Sequence, residues 1–355
     1  MKKLFVSMLA VAALVSCSKE QTVSFDKGDL IGFNSFVENS TRATDLTYGA
    51  GAQPLTQFYV YGTVQGTGNG IVNIYDGDVV TGTVGEKETI TDENGDQIEV
   101  DKAWSCDVQQ YWIAGAQYNF AAVVDVDKDT NNLPDGVTVD TATGMPETIA
   151  YTTANQNDLL YADATATGKA TGNGKVNFTF EHLLAKAQFT VKSNTEGGYY
   201  YSVKDIKVSN YAGGTYTIAY ADANNDGKDD GTWAPGTATN VAFGDVEYVT
   251  KGDTNGKTND TQMLLVPTAT DFKVSFTVEI WNGDGEGDDE VLLGQTVYAD
   301  NDTDDVHNAL SVTTDLVKGN TYNFNLNLSV GELIQFTVSE DPEWTAGNNG
   351  ADITL

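Results

Sequence analysis

The chain has 355 residues, a formal net charge of −32 and an apolar fraction of 40%. Because the negative charge is spread along the chain, it lacks the basic footprint of a nucleic-acid-binding protein and fits a soluble, exported surface. The apolar content is sufficient for a hydrophobic core, and the length predicts about two domains.

The N-terminus has the features of a bacterial lipoprotein signal. Two lysines precede an apolar stretch from Leu4 to Val15, which is shorter than the about 20 residues that a transmembrane helix needs. The following "LVSC", which ends at Cys17, matches the lipobox, in which the cysteine is acylated (as with palmitate) and becomes the new N-terminus. We expect residues 1–16 to be removed and a lipid on Cys17 to anchor the precursor in the outer membrane. The alternative is an ordinary signal peptide with an incidental cysteine.

A strand-like segment and a single arginine follow the signal. Residues 29–37, "DLIGFNSFV", have the composition of a strand, and Arg42 is the only arginine in the chain. An isolated arginine between small polar residues suits an arginine-specific protease. The alternative is that an acidic, lysine-preferring chain retained one arginine by chance.

The rest of the chain is predicted to be β throughout, because Tyr, Thr, Val and Phe are abundant and turn clusters recur about every ten residues. Apolar residues alternate in "QFYVYGTV" and "YNFAAVV", and the pair Asn94-Gly95 predicts a tight hairpin. The clearest alternation comprises Tyr322, Phe324, Leu326, Leu328 and Val330. Short strands with frequent turns are typical of a sandwich or barrel.

One stretch is helix-like and one is linker-like. The best helical candidate is "FEHLLAKAQF", residues 180–189, although it continues into a strand-like "FTVK". Residues 163–175 are small and polar without an apolar pattern, which is typical of a linker. We therefore predict an N-terminal domain at 43–170 and a C-terminal domain at 171–355.

Few residues are available for catalysis. Of the two histidines, His182 is predicted to be packed or capping, and His307 to be solvated in an acidic loop. Cys106 has no disulfide partner once Cys17 is acylated, and we expect it to be a small buried apolar side chain. With no recognised catalytic or phosphate-binding motif, the chain is not expected to be an enzyme or to hold a cofactor.

An acidic loop is a weak candidate for structural calcium. Asp222, Asn224, Asp226 and Gly227 occupy positions 1, 3, 5 and 6 of an EF-hand-like loop. Position 12 is Trp233 where the motif needs a bidentate glutamate, so the full motif fails. A solvated turn is the expectation, and a calcium site is the alternative.

Several motifs together resemble the fimbrillin family, the type V pilus subunits of Bacteroidia. They are the lipobox, "STRATD", "YWIAGAQYNFAAV", "NDLLYA", "VNFTFEHLLAKAQFTV" and the C-terminal "PEWTAGNNGADITL". The resemblance implies two tandem transthyretin-like Greek-key β-sandwich domains. It also implies cleavage between Arg42 and Ala43, removal of residues 17–42, and a mature form in extracellular fimbriae on the cell surface.

Loss of the strand at 29–37 is expected to leave an open groove, and such an edge invites an incoming strand. The resemblance implies that the C-terminal region of the next subunit supplies this strand, and head-to-tail contacts of this kind build filaments. The apolar residues of that region that can fill pockets are Leu333, Phe336, Val338, Trp344, Ile353 and Leu355. The alternative is that this region completes its own domain.

The expected partners are other copies of the chain, further pilus subunits, the protease and a host or bacterial surface glycan or protein. Two other functions remain open. A cell-anchored or tip fimbrial lipoprotein would keep its lipid and would not need Arg42. A glycan-binding surface lipoprotein could use Trp104, Trp112 and Trp281 as a stacking platform, although core packing is the expectation for tryptophans of a sandwich.

Overall fold

In the computed structural model, the chain forms β-structure almost throughout. The residues that the structure describes are 29–37, 55–66, 70–82, 87–91, 97–101, 104–124, 136–169, 174–194, 199–220, 229–250, 253, 255–259, 262–268, 271–283, 290–299, 306–328, 335–341 and 351–354. Across these ranges there are strands β1 to β25 and a 3-10 turn at Thr153–Asn155, with no α-helix. The prediction of an all-β chain is confirmed.

A seven-stranded sheet forms most of the N-terminal half. Its strands are β1 (Phe33–Val37), β2 (Gln57–Gln65), β3 (Ile71–Thr81), β6 (Ser105–Cys106), β7 (Gln117–Val124), β10 (Leu160–Thr167) and β11 (Val176–His182). They lie in the order β1-β11-β10-β7-β2-β3-β6. Only the pairing of β1 with β11 is parallel. A separate pair of strands, β4 (Lys87–Thr91) and β5 (Gln97–Asp101), forms an antiparallel ladder, and the predicted Asn94-Gly95 turn between them lies outside the described residues.

The chain leaves this sheet after β11, at Leu183 and Leu184. Residues 163–167 of the predicted linker form the second half of β10, and β11 begins just beyond the linker. The alanines of β10 pack against the core, where Ala164 and Ala166 stand opposite Phe120 and Tyr118 of β7. The boundary predicted at residue 170 therefore lies between two strands of one sheet. The helix-like stretch instead forms two strands joined at the two buried leucines.

Two six-stranded sheets face each other in the C-terminal half. One contains β12 (Ala185–Ser193), β17 (Lys257–Thr258), β18 (Met263–Leu265), β23 (Thr321–Leu328), β24 (Gln335–Asp341) and β25 (Ala351–Thr354), with β25 at its edge. The other contains β13 (Tyr199–Tyr211), β16 (Ala238–Val249), β19 (Phe272–Asn282), β20 (Val291–Tyr298), β21 (Val306–His307) and β22 (Leu310–Val312). Both sheets contribute to one core, as a sandwich requires.

The core between these sheets follows the predicted alternation. Tyr322, Phe324, Leu326 and Leu328 of β23 are all buried. The ring centroid of Phe324 lies 5.0 Å from that of Phe189 on the parallel neighbour β12. Successive side chains of a strand point to opposite faces, so a period of two places one apolar row in the core.

A four-stranded sheet connects the two halves. It consists of β8 (Val137–Val139), β9 (Pro146–Thr152), β14 (Gly213–Thr217) and β15 (Thr232–Pro235), in the order β15-β14-β9-β8. Ile149 and Tyr216 from this sheet share a buried cluster with Tyr59 and Tyr61 of β2. Strand β2 is therefore buried on both faces.

Candidate assembly site: the first strand and the C-terminal edge

Strand β1 lies between the two ends of the N-terminal sheet. On one side it pairs in parallel with residues 176–180 of β11. On the other side Phe33 forms an antiparallel bridge with Trp104, directly before β6. The amide of Ile31 donates to the Gln110 carbonyl at 2.9 Å on the same side. The backbone of this short segment is thus hydrogen-bonded along both of its edges.

Phe33 occupies the centre of the N-terminal core and is 0% exposed. Its ring centroid lies 5.5 Å from Tyr75, 5.9 Å from Phe178, and 6.3 Å from both Phe58 and Phe120. Most of these contacts are edge-to-face, a geometry that aromatic quadrupoles favour. Burial of a phenylalanine contributes roughly 1.5–3 kcal/mol, so Phe33 couples β1 firmly to the rest of the domain.

The rings around Phe33 need a glycine on β2. A Cβ atom added at Gly62 would lie 2.8 Å from the Tyr75 side chain and 3.0 Å from that of Phe120. The first distance is shorter than real Cβ contacts and the second is tighter than most of them, so any larger residue would require the two rings to shift. The cavity that receives Phe33 is therefore shaped by the backbone of β2 as well as by its neighbours' side chains.

A chain without β1 would carry an open groove. Strand β11 would lose its partner along residues 176–180, and the carbonyl of Gln110 would lose its donor. The rings of Phe178 and Phe58 would lose the contact that covers them. Unpaired backbone beside an apolar cavity is the combination that binds an added strand most strongly.

The C-terminal region forms the edge of the sandwich. Val338 is 1% exposed in the core, and the ring of Phe336 stacks 6.0 Å from that of Phe324. Strand β25 pairs with β24 at four positions, where Ile353 stands opposite Val338. The remaining predicted donor residues, Leu333, Trp344 and Leu355, lie outside the described residues. Strand β24 thus belongs to the core of its own domain, and donation of this region to a neighbour stays a prediction.

The processing and calcium candidates also lie outside the described residues. These candidates are Cys17, Arg42, Ala43, Asp222, Asn224 and Asp226. Within the described ranges, no cluster of three or more His, Cys, Asp or Glu side chains is arranged to hold a metal ion. The processing and calcium assignments therefore stay predictions.

The histidines and Cys106 occupy separate places in the fold. The Nδ1 atom of buried His182 lies 2.7 Å from Oδ2 of Asp158. His307 is exposed and stacks on Tyr298 at 5.2 Å. Burial raises the pKa of the Cys106 thiol to about 11, so at neutral pH it is protonated and a poor nucleophile.

Two of the three tryptophans predicted as a possible stacking platform are in the core. Trp104 and Trp112 are each 6% exposed in the cluster around Phe33. Trp281 is partly exposed, and its ring stacks on Tyr200 while its Nε1 donates to Glu279 at 3.1 Å. Trp104 and Trp112 are thus buried beside β1. They cannot form an exposed stacking platform together with Trp281.

A polar cluster at the junction of the two halves was not predicted. Glu181 of β11 accepts from Lys318 Nζ at 3.0 Å and from the Asp229 amide at 2.8 Å. Lys318 also donates to the Tyr216 hydroxyl at 3.0 Å, and that hydroxyl donates to the Asp229 carboxylate at 2.9 Å. These residues are far apart in the sequence. The local sequence feature that pointed to a buried polar cluster was a glutamate within an apolar strand.

Burial determines the protonation of this cluster. It raises the pKa of the Glu181 carboxyl, and the positive charge of Lys318 only partly offsets the rise. The pKa of the Tyr216 hydroxyl is raised by burial and, secondarily, by the negative charge of Asp229. The hydroxyl therefore stays protonated and can donate to Asp229 at every physiological pH.

Solved structures of other proteins are similar to this architecture. In the described part of the chain, no helix is both long and apolar enough to cross a membrane. No curated protein sequence matches the chain. A fimbrial protein from Bacteroides vulgatus has the same fold, with 14% identity and a TM-score of 0.58, over 89% of this chain and 99% of that one.

Two more distant structures are also similar. A fimbrial assembly protein from Parabacteroides distasonis is 16% identical over 88% of this chain and 95% of that one, with a TM-score of 0.42. The fimbrial anchor protein Mfa2 from Porphyromonas gingivalis is 11% identical over 92% of this chain and 98% of that one, with a TM-score of 0.34. The sequence model described as fimbrillin-like matches residues 41–341. The chain belongs to the fimbrillin-like family.

Proposed function

We propose that the chain is a structural, non-enzymatic subunit of a surface fimbria that serves adhesion. It is exported as a lipoprotein precursor acylated at Cys17, cut after Arg42, and polymerised by insertion of a neighbour's strand. Its partners are other copies of itself and further pilus subunits. Family membership supports the fimbrial assignment. The observation that carries the mechanism is the position of β1, whose fully buried Phe33 lies nine residues before Arg42.

Removal of β1 would supply the driving force for assembly. An incoming strand would regain backbone hydrogen bonds to β11 and bury an apolar side chain where Phe33 lies. The C-terminal region is the proposed donor, because within the described ranges β25 is paired along one edge and stands at the end of its sheet. One groove and one donor per subunit give a head-to-tail contact that does not close, so the product is a filament.

N-terminal sequencing of protein sheared from cells tests the cleavage. We expect the mature chain to begin at Ala43. A sheared fimbrial chain that begins at acylated Cys17 would contradict the shaft subunit and favour the anchor, which keeps its lipid. Electron microscopy of the same cells should show surface filaments that contain this chain.

Substitution of the single arginine provides the matched variant. Arg42→Lys keeps the positive charge but removes the side chain that an arginine-specific protease recognises. The uncut precursor should therefore accumulate, and filaments should be lost. Normal filaments from Arg42→Lys cells would exclude Arg42 as the processing site.

A further inference from the structure

Strand β11 forms one wall of the site that holds β1. Its two ends pair with different strands. Its first five residues, 176–180, pair with β1. Only its last two residues, Glu181 and His182, pair with β10 on the opposite side. Without β1, residues 176–180 would still place side chains in the core. They would have no backbone pairing with another described strand. The position of the wall would then depend on its C-terminal end.

That end of β11 is held by groups from two other segments, one at Lys318 and one at Asp229. Lys318 Nζ donates to the Glu181 carboxylate at 3.0 Å, to the Tyr216 hydroxyl, and to the backbone carbonyl of Asp229. The Asp229 amide donates to the other Glu181 oxygen at 2.8 Å. The Lys318 and Glu181 side chains are 21% and 12% exposed, so water screens their interaction little.

Asp229 is itself held by several hydrogen bonds. Its carboxylate accepts from the amides of Ala219 and Gly231 at 2.8 and 2.9 Å, as well as from Tyr216. Beyond Glu181, the amide of Gly319 donates to the Leu184 carbonyl at 2.8 Å. Lys318 therefore joins the end of β11 to Tyr216 of the connecting four-stranded sheet and to Asp229, and none of the hydrogen bonds described for it involves β1.

We infer that Lys318 and Glu181 are positioning residues for strand insertion: their ion pair keeps the β11 wall in place while the groove is empty. This inference rests on the proposed function, in which β1 leaves before a neighbour's strand arrives. The junction between the two halves would then have a role in assembly in addition to connecting them. The ion pair should matter little while β1 is bound and much once β1 is loosened.

Hydrogen exchange in the full-length precursor tests this dependence without requiring cleavage. Phe33→Ala loosens β1, Lys318→Met removes the cation, and a double variant combines them. Lys207→Met, at a 43% exposed lysine on β13, is the matched control. Mass spectrometry follows residues 174–182, with residues 185–193 of β12 as an internal reference.

We expect Lys318→Met alone to change exchange in residues 174–182 by less than about twofold, but to accelerate it about tenfold or more in the Phe33→Ala background. Lys318→Arg should restore protection, and Lys207→Met should have no effect in either background. Phe33→Leu replaces Phe33→Ala if residues 174–182 already exchange at the unfolded rate. Independent effects of the two substitutions, or equal acceleration in residues 185–193, would overturn the inference.

Polymerisation separates this inference from the proposed function. Precursor cut at Arg42 should form ladders on unheated gels, more slowly for Lys318→Met than for the wild type. If the cut wild type forms no polymer, the proposed function fails, while the exchange comparison still decides the role of the ion pair. If the wild type polymerises and exchange shows no coupling, only the inference fails.

Discussion

The first and last strands of the chain are held in opposite ways. Strand β1 has bonding partners on both edges and places Phe33 at the centre of an aromatic core. Strand β25 is the last strand of its sheet, and among the described strands it pairs with β24 alone, over four positions. Loss of β1 would therefore open the seven-stranded sheet, whereas loss of β25 would leave β24 as the edge of the sandwich.

Under the proposed function, this difference favours β1 as the strand that leaves the groove and β25 as the candidate donor. A strand that is bonded on both sides leaves a deep groove, and its replacement regains the most free energy. A strand at an edge can leave its own domain at low cost. Substitutions at the two ends of the chain should separate these roles, and the following experiments are ordered from the largest expected effect.

The largest effect should come from the buried ring of β1. Phe33→Ala should destabilise the uncut precursor by about 3–5 kcal/mol, since it removes a fully buried phenylalanine and leaves a cavity. Leu30→Ala, three residues earlier and 50% exposed, is the control and should cost less than about 0.5 kcal/mol. Urea unfolding measures both. Equal losses would mean that β1 is not tied to the core through Phe33.

The C-terminal strands should show the reverse balance between stability and assembly. Val338→Ala removes a buried core side chain and should cost about 2 kcal/mol of monomer stability. Deletion of residues 351–355 should cost less than Val338→Ala, because β25 lies at the edge, but should strongly weaken polymerisation of the cut protein. Deletion back to Leu333 also removes β24 with its buried Val338, so it should weaken polymerisation further and lower monomer stability as well.

Unheated gels and urea unfolding of the same samples separate the outcomes. A shortened protein that polymerises as well as the full-length chain would exclude C-terminal donation. A shortened protein that does not fold would assign the tail to its own sandwich.

A smaller effect is expected on the outer face of β1. The side-chain Nδ2 of Asn34 donates to Oδ1 of Asn177 at 3.0 Å, in an exposed position beside the parallel ladder. Asn34→Ala should reduce precursor stability by about 0.5–1 kcal/mol, since exposed hydrogen bonds contribute little net free energy. The contrast with Phe33→Ala in urea unfolding would sharpen the assignment of β1 stability to its buried side. A loss as large as that of Phe33→Ala would refute it.

The smallest effect should be a pH dependence at the end of the β11 wall. Burial raises the pKa of Glu181 in the folded protein, so the folded chain binds this proton more tightly than the unfolded chain. The resulting stability is present below the unfolded pKa and is lost as the pH rises through the folded pKa. Wild-type stability relative to Glu181→Gln should therefore decrease as the pH rises above the usual range of a glutamate. A difference that is constant with pH in urea unfolding would contradict this sign.

The strands themselves could be predicted from the sequence to a large extent. The alternating residues of β23 and the hairpin around Asn94-Gly95 are local patterns, and both appear as strands. The helix predicted for residues 180–189 was wrong. The buried leucines at 183 and 184 lie at the junction between sheets and do not belong to one face of a helix. Local periodicity does not distinguish a short apolar turn from a helix.

Part of the candidate site was also predictable. The segment at 29–37 reads as a strand, and the single arginine follows it. The sequence does not indicate the partners of that strand, since Asn34 and Asn177 are 143 residues apart. Nor does it indicate the pairing of Glu181 with Lys318, which are 137 residues apart.

The sequence by itself thus determined the strand class, the apolar faces and the terminal motifs, because these depend on residues within a few positions of each other. The tertiary structure alone decided that β2 is buried on both faces, that the linker-like residues 163–167 form a strand, and that β1 closes a sheet. Each of these depends on backbone and side-chain contacts between distant segments. Such contacts are selected by the free energy of the whole fold and leave no local pattern.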